Sequence, residues 1–263
     1  MRHRRPTVAE LLSMKGKRQL SMLRVETLDE ADAAERAGVD LVSVPPSLLS
    51  PAFREAAPSV FAFPGLEYGD LVTADEYIRA AFQALKAGGD AVYCAASLQT
   101  VRRMRDEGIP VCGHLGLIPS KATWTGGFRA VGKTSLSALE IWRQSKALEE
   151  AGAFAAEIEV VPGEVASAIS ERTSMLMLSM GAGTGCDAQY LFADDVLGAS
   201  KGHVPRHAKI YRSFAAEYER LQQERIAAFS EYVADVKSGA YPDKAHLVGI
   251  EPGELEAFLT ALG

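Results

Sequence analysis

Two carboxylates stand two residues apart in AAEIEVVP (155–162), and they pose the first chemical question. If the segment is a strand, Glu157 and Glu159 share one of its faces, because side chains alternate with a period of two. Charged groups are almost never buried without a partner or a task. Glu159, nearer the strand's end, is placed to act as a general base, and Glu157 lies deeper or faces the same cavity. The competing possibility is a structural ion pair with a Lys or Arg of the core. His114 is the next candidate, in VCGHLGLIPS (111–120), between Gly113 and Gly116. An imidazole there can bind a carboxylate or carry a proton near neutral pH, or it can satisfy local backbone groups. HxH, HExxH and GxSxG motifs are absent, so neither a zinc site nor a serine elbow is indicated. The glycine-rich GAGTGCDAQ (181–189) departs from GxGxxG. It reads as a tight loop over the mouth of the fold, with Asp187 capping a following turn.

The elements that must position these groups follow a recurring phrase. EADAAERAGVDLVSV (30–44), YIRAAFQALKAGGDAVYCAA (77–96) and QSKALEEAGAFAAEIEVV (144–161) each run from an Ala-rich amphipathic helix through Ala-Gly into an apolar strand. VRRMRDEGIPVCG (101–113) is a weaker copy. Glycine supplies the left-handed residue that ends a helix, and an apolar run of four to six residues suits a strand buried on both faces. With further strands expected near 21–25, 59–63, 175–180 and 189–193, helix and strand alternate about eight times over 263 residues. This is the pattern of a (βα)8 TIM barrel; an open doubly wound sheet is the runner-up. The whole chain, 1–263, is expected to be one domain, with the barrel at about 18–205 and a C-terminal helical extension at about 206–263. In a barrel, the loops after the strands carry the chemistry.

Composition narrows the class. A net charge of −6 gives no reason to expect nucleic acid, and no window holds 18 uninterrupted apolar residues, so no membrane partner is expected. MRHRRP is not followed by the apolar core of a signal peptide. Three widely spaced cysteines, Cys94, Cys112 and Cys186, fit free thiols in a cytoplasmic protein. In VSVPPSLLS (42–50) a short strand meets two prolines, which lack the N–H a ladder needs, and so must end.

VCGHLGLIPS followed by GGFRAVGK (126–133) resembles the ketopantoate hydroxymethyltransferase family, and so do AGVDLVSVPPSL, EIEVVPGEVASAIS, GAGTGCDAQYLFADDVLG and VKSGAYPDKAHLV. The resemblance implies a barrel of the phosphoenolpyruvate mutase and isocitrate lyase type, assembled as a homo-oligomer. It also implies transfer of a one-carbon unit from 5,10-methylenetetrahydrofolate to a small 2-oxo acid held by Mg2+. By the same resemblance Glu159 is the general base, while Ser47 and His114 contact the substrate. The family's metal-binding acids, however, fall at Pro46, at Ala62 or Gly65, and at Ala95, and a substrate lysine falls at Tyr93. The expectation is therefore a divergent member that makes or breaks a carbon–carbon bond beside a carbonyl without the usual metal, with Tyr93 donating a hydrogen bond to the developing oxyanion. Two alternatives stay open. One is the ordinary transferase with a rearranged metal site, and the other is a silent paralogue that acts as a binding or assembly partner.

Overall fold

The computed structural model describes residues 4–66, 68–200 and 202–263. Eight parallel strands form its centre: β1 (Leu20–Arg24), β2 (Leu41–Val44), β3 (Phe61–Pro64), β4 (Val92–Tyr93), β5 (Val111–Gly116), β6 (Ala155–Glu159), β7 (Leu176–Met180) and β8 (Ala188–Phe192). They pair in the order β3-β2-β1-β8-β7-β6-β5-β4. The ring closes through a single parallel bridge, Gly65 to Tyr93, reinforced by the Leu66 N–H donating to the Tyr93 carbonyl at 2.8 Å.

Local chemistry explains where the intervening helices begin and end. Thr27, Ser50, Thr73, Ser97 and Thr134 each accept, through the side-chain oxygen, the N–H three residues on. Such caps satisfy donors that a helix start leaves unpaired. The recurring Ala-Gly phrases finish at Gly38, Gly88 and Gly152, all left-handed as the sequence pattern requires.

Strand alternation then sorts the interior. Leu20, Met22, Leu41, Phe61, Leu176 and Leu178 fill the barrel with apolar side chains. The opposite faces, including Val42, Val44, Ala62, Val111, Ala156 and Ile158, pack under the helices. Toward the C-terminal ends the inward set becomes polar, as a barrel enzyme requires of its mouth.

Two expectations change. The seven residues between β7 and β8 contain no helix, so the alternation is not complete. Asp187 does not cap a turn at the mouth either. The segment runs back to the start of β8, where the Asp187 carboxylate is buried and accepts from Lys15 Nζ at 2.6 Å and from the Met177 N–H at 2.8 Å. The chain also divides into two compact units, the first ending at Arg212 and the second running Ser213–Gly263. The second contains a 25-residue helix, Phe214–Ser238, and a shorter one, Pro252–Leu262. Among the described residues no helix is long and apolar enough to cross a membrane, and all three cysteines are buried free thiols.

Candidate active site

The parallel register of β5 and β6 sets His114 beside Glu157 and Gly116 beside Glu159. All of these positions point inward, so one imidazole faces two carboxylates. His114 Nε2 lies 3.1 Å from Glu159 Oε2 and 4.0 Å from Glu157 Oε1. On the other side of the ring, the Tyr93 hydroxyl lies 2.5 Å from His114 Nδ1. Tyr93 comes from the two-residue β4, next to the bridge that closes the barrel.

Backbone geometry holds this cluster tightly. Gly116 has φ +82°, and a Cβ there would fall 2.4 Å from the Glu159 carbonyl oxygen. Only glycine lets β5 pass that close to β6 at the carboxylate. Immediately beyond, Val160 adopts φ +49°, a region that β-branched residues avoid. Its N–H donates to the Met180 carbonyl at 2.8 Å and its carbonyl accepts from Val131 N–H at 3.2 Å, so both neighbours hold it there. Such strain persists only where the surroundings over-determine it, and it concentrates at functional sites.

Burial and mutual charge set the protonation states. The side chains of His114, Glu157 and Glu159 are only 5%, 4% and 11% exposed. Burial pushes the Glu157 carboxyl up, with the Glu159 charge adding to this and His114 opposing it. For His114 burial acts downward, yet the Glu157 charge and the hydrogen bond to Glu159 outweigh it and hold the imidazole above its ordinary value. Burial and the Glu157 charge push Tyr93 well up, so it remains a phenol. With His114 protonated, Nε2–H donates to Glu159 and Nδ1–H donates to the Tyr93 oxygen, so the phenol's own proton goes to the Glu157 carboxylate beside it.

That cavity has a volume of about 360 Å³, and the cluster forms one side of it. Its size suits a small molecule. Arg24, Ser43, Tyr190 and Phe192, from β1, β2 and β8, line it as well. The sequence reading did not single these out. Arg24 had a usable signal, since it continues the inward alternation Leu20, Met22 at the end of the first strand.

Ser47, expected at the substrate, is not among the lining residues. The two prolines turn the chain into a 3-10 segment, Pro46–Leu48, and Ser47 lines a separate cavity with Pro45, Pro46 and Asp70. Ser43, on the strand before it, is the serine of the central cavity.

The magnesium site implied by the resemblance does not fit the residues present. Pro46, Gly65 and Ala95 carry no ligand atom, and an Arg24 Nη1 sits 3.4 Å from where a Gly65 Cβ would be. A fixed guanidinium at that spot opposes a divalent cation. The described residues that bring ligand-type atoms together are His114, Glu157 and Glu159, whose atoms all lie within 4.8 Å of one another. An imidazole with two carboxylates suits a transition metal better than magnesium, which prefers an all-oxygen shell.

Comparison with known proteins agrees with this architecture. A family model described as ketopantoate hydroxymethyltransferase matches residues 52–244. A 3-methyl-2-oxobutanoate hydroxymethyltransferase of Kosmotoga olearia is 32% identical, over 89% of this chain and 94% of that protein. The enzyme of the same name from Halalkalibacterium halodurans is 36% identical over 65% of this chain and 60% of its own length. Among solved structures, an oxaloacetate acetylhydrolase superposes with TM-score 0.56, 11% identity and coverage of 90% of this chain and 98% of that one. A phosphoenolpyruvate phosphomutase of Streptomyces platensis subsp. rosaceus gives TM-score 0.51 at 14% identity, over 98% and 96%. These structural likenesses establish the barrel type. The relatives' names specify no one-carbon donor, and 5,10-methylenetetrahydrofolate is not carried further.

Proposed function

The chain belongs to the ketopantoate hydroxymethyltransferase family, and we propose that it forms or breaks a carbon–carbon bond next to the carbonyl of a small 2-oxo acid, with no magnesium at the family's positions. It is an enzyme of the transferase or lyase type. The observation that carries the finer reading is the juxtaposition of Glu159, His114 and Tyr93 at one wall of a single cavity.

Glu159 takes the proton from the carbon beside the carbonyl, the C–H electron pair becomes the C=C bond, and the carbonyl π pair moves to oxygen, giving the enolate. That oxygen needs stabilisation, and the Tyr93 phenol, polarised by the His114 imidazolium behind it, turns its proton from Glu157 to the oxyanion. The enolate carbon then attacks the C=O or C=N carbon of a one-carbon electrophile at the formaldehyde oxidation level. The electrophile's π pair moves to its heteroatom, which takes the proton from Glu159, and the enolate oxygen's pair re-forms the carbonyl; in reverse, the same groups assist cleavage. Preorganised donors of this kind are worth roughly 3 kcal/mol each in a site shielded from water.

Glu159→Gln tests the assignment. Exchange of the proton beside the carbonyl for solvent deuterium, followed by NMR on a panel of 2-oxo acids, is expected to fall at least about a hundredfold, the low end of a positioned base's contribution. Undiminished exchange in the Gln variant removes Glu159 from the mechanism. A second reading is favoured by the spacing of the ligand atoms of His114, Glu157 and Glu159: the ordinary hydroxymethyltransferase with a relocated transition metal. Metal analysis of the purified protein, with activity followed through chelation, decides between them. Activity unchanged after complete chelation excludes the metal.

Assembly into a homo-oligomer belongs to the same proposal. It is supported by Ile226, Phe229 and Tyr232, exposed along the helix Phe214–Ser238. A monomeric mass in sedimentation would remove it.

A further inference from the structure

One charged group at the cavity has no part in the chemistry above. Arg24 ends β1 on the inward face, level with Ser43 on one neighbouring strand and Phe192 on the other. Its side chain is 20% exposed, and it is the one Lys or Arg among the described residues lining the cavity. Glu26 holds the Nε–H at 2.6 Å from the more exposed side, and Ser43 Oγ accepts from Nη1 at 3.3 Å. A guanidinium has five N–H donors, so three remain without a partner among the described residues. Two fixed bonds therefore orient the fork, and its free edge is left for a ligand.

Charge supports an anionic ligand. The wall opposite sets two carboxylates, Glu157 and Glu159, against one imidazole already held by them, so it offers an entering carboxylate no free cation to receive it. The resemblance assigns that task to magnesium, yet Arg24 Nη1 stands 3.4 Å from the Cβ position of Gly65, one of the places where the metal's acids would be. One of the missing acids and the Arg24 guanidinium thus fall at the same place.

Resting on the function proposed above, we propose that Arg24 is the carboxylate anchor of this cavity. Its fork grips the carboxylate of a small 2-oxo acid and supplies the positive charge that a divalent cation would otherwise bring. Arginine suits this role better than lysine because the planar fork pairs with both carboxylate oxygens at once. Glu26 acts as a positioning residue that fixes the rotation of the guanidinium. The carbonyl of the anchored acid is then the group presented to Tyr93, and specificity follows: monocarboxylic 2-oxo acids are taken, and their neutral amides are not gripped.

The test is calorimetric titration of 2-oxoisovalerate and its amide into wild type, Arg24→Lys, Arg24→Gln and Glu159→Gln, all in excess chelator. Wild type is expected to bind the acid under these conditions. Arg24→Gln is expected to weaken acid binding at least about thirtyfold, the low end for truncating a desolvated charge pair, and to leave the amide's affinity unchanged. Arg24→Lys keeps the charge without the fork and falls between the two. Glu159→Gln still binds the acid while losing proton exchange, so failure of the base assignment and failure of the anchor are read separately. Acid affinity unchanged in Arg24→Gln, or wild-type binding only when magnesium is added, overturns the anchor. Equal losses for acid and amide assign Arg24 a purely structural role and overturn it too.

Discussion

Gly116→Ala gives the most direct check on the geometry around Glu159. At φ +82° an L-residue costs about 1–2 kcal/mol for the left-handed backbone. The added methyl also falls 2.4 Å from the Glu159 carbonyl oxygen and 2.8 Å from Val161 Cγ2, neither of which is the free end of a flexible chain. Relieving such overpacking adds about 1–3 kcal/mol. The sum, about 2–5 kcal/mol, lowers Tm by roughly 5–15 °C for a domain of this size. Gly108 supplies the control: its φ is +77°, but a Cβ there meets nothing within 4 Å, so Gly108→Ala is expected to cost the backbone contribution alone. Thermal unfolding of both variants isolates the contact, because the backbone penalty is common to the two. The displacement falls on the peptide that carries Glu159, so deuterium exchange at the substrate should drop in Gly116→Ala and hold in Gly108→Ala. Equal losses of Tm in the two variants, or wild-type exchange in Gly116→Ala, would refute the close-approach argument.

Two further outcomes follow from the same cluster. Tyr93→Phe removes the phenol donor, and kcat should fall roughly a hundredfold or more with KM little changed; a change confined to KM would assign Tyr93 to binding instead. Glu157→Gln should stabilise the protein increasingly as pH rises. The folded Glu157 carboxyl titrates above its ordinary value of 4.5 because it is buried. The native state therefore retains a proton that the unfolded chain releases, and stability contributed below the ordinary value is lost as pH rises through the folded one. Paired Tm measurements from pH 5 to 8 check this, and a gap that narrows with pH would contradict it.

Much of the fold is visible in the sequence because buried parallel strands leave short apolar runs after Ala-Gly, as at 41–44, 92–93 and 155–159. Glu159 and His114 stood out as candidates for a related reason: a charge inside such a run must find a partner or a task, and the structure brings the two together at 3.1 Å. The β7–β8 segment was not, since the glycines in 181–189 mark a turn without saying that the chain must run back along the barrel. Ser47 was misplaced because a motif fixes order along the chain, whereas the two prolines decide which cavity the side chain enters. Arg24 went unnoticed because a basic residue at a strand's end looks like a solvated terminus. Only the closed ring reveals that β1 and β6 face one cavity.

The barrel's closure has a bearing on the proposed site. Every other neighbouring pair of strands shares at least two register pairs, whereas β3 and β4 share the Gly65–Tyr93 bridge, with the Leu66 N–H donating to Tyr93 above it and the Asp90 N–H donating to the Ala62 carbonyl below. Tyr93 is thus both the latch of the ring and a member of the cluster with His114. Loosening of that seam would withdraw the phenol from the imidazole, so the closure of the ring and the geometry of the proposed site depend on the same residue.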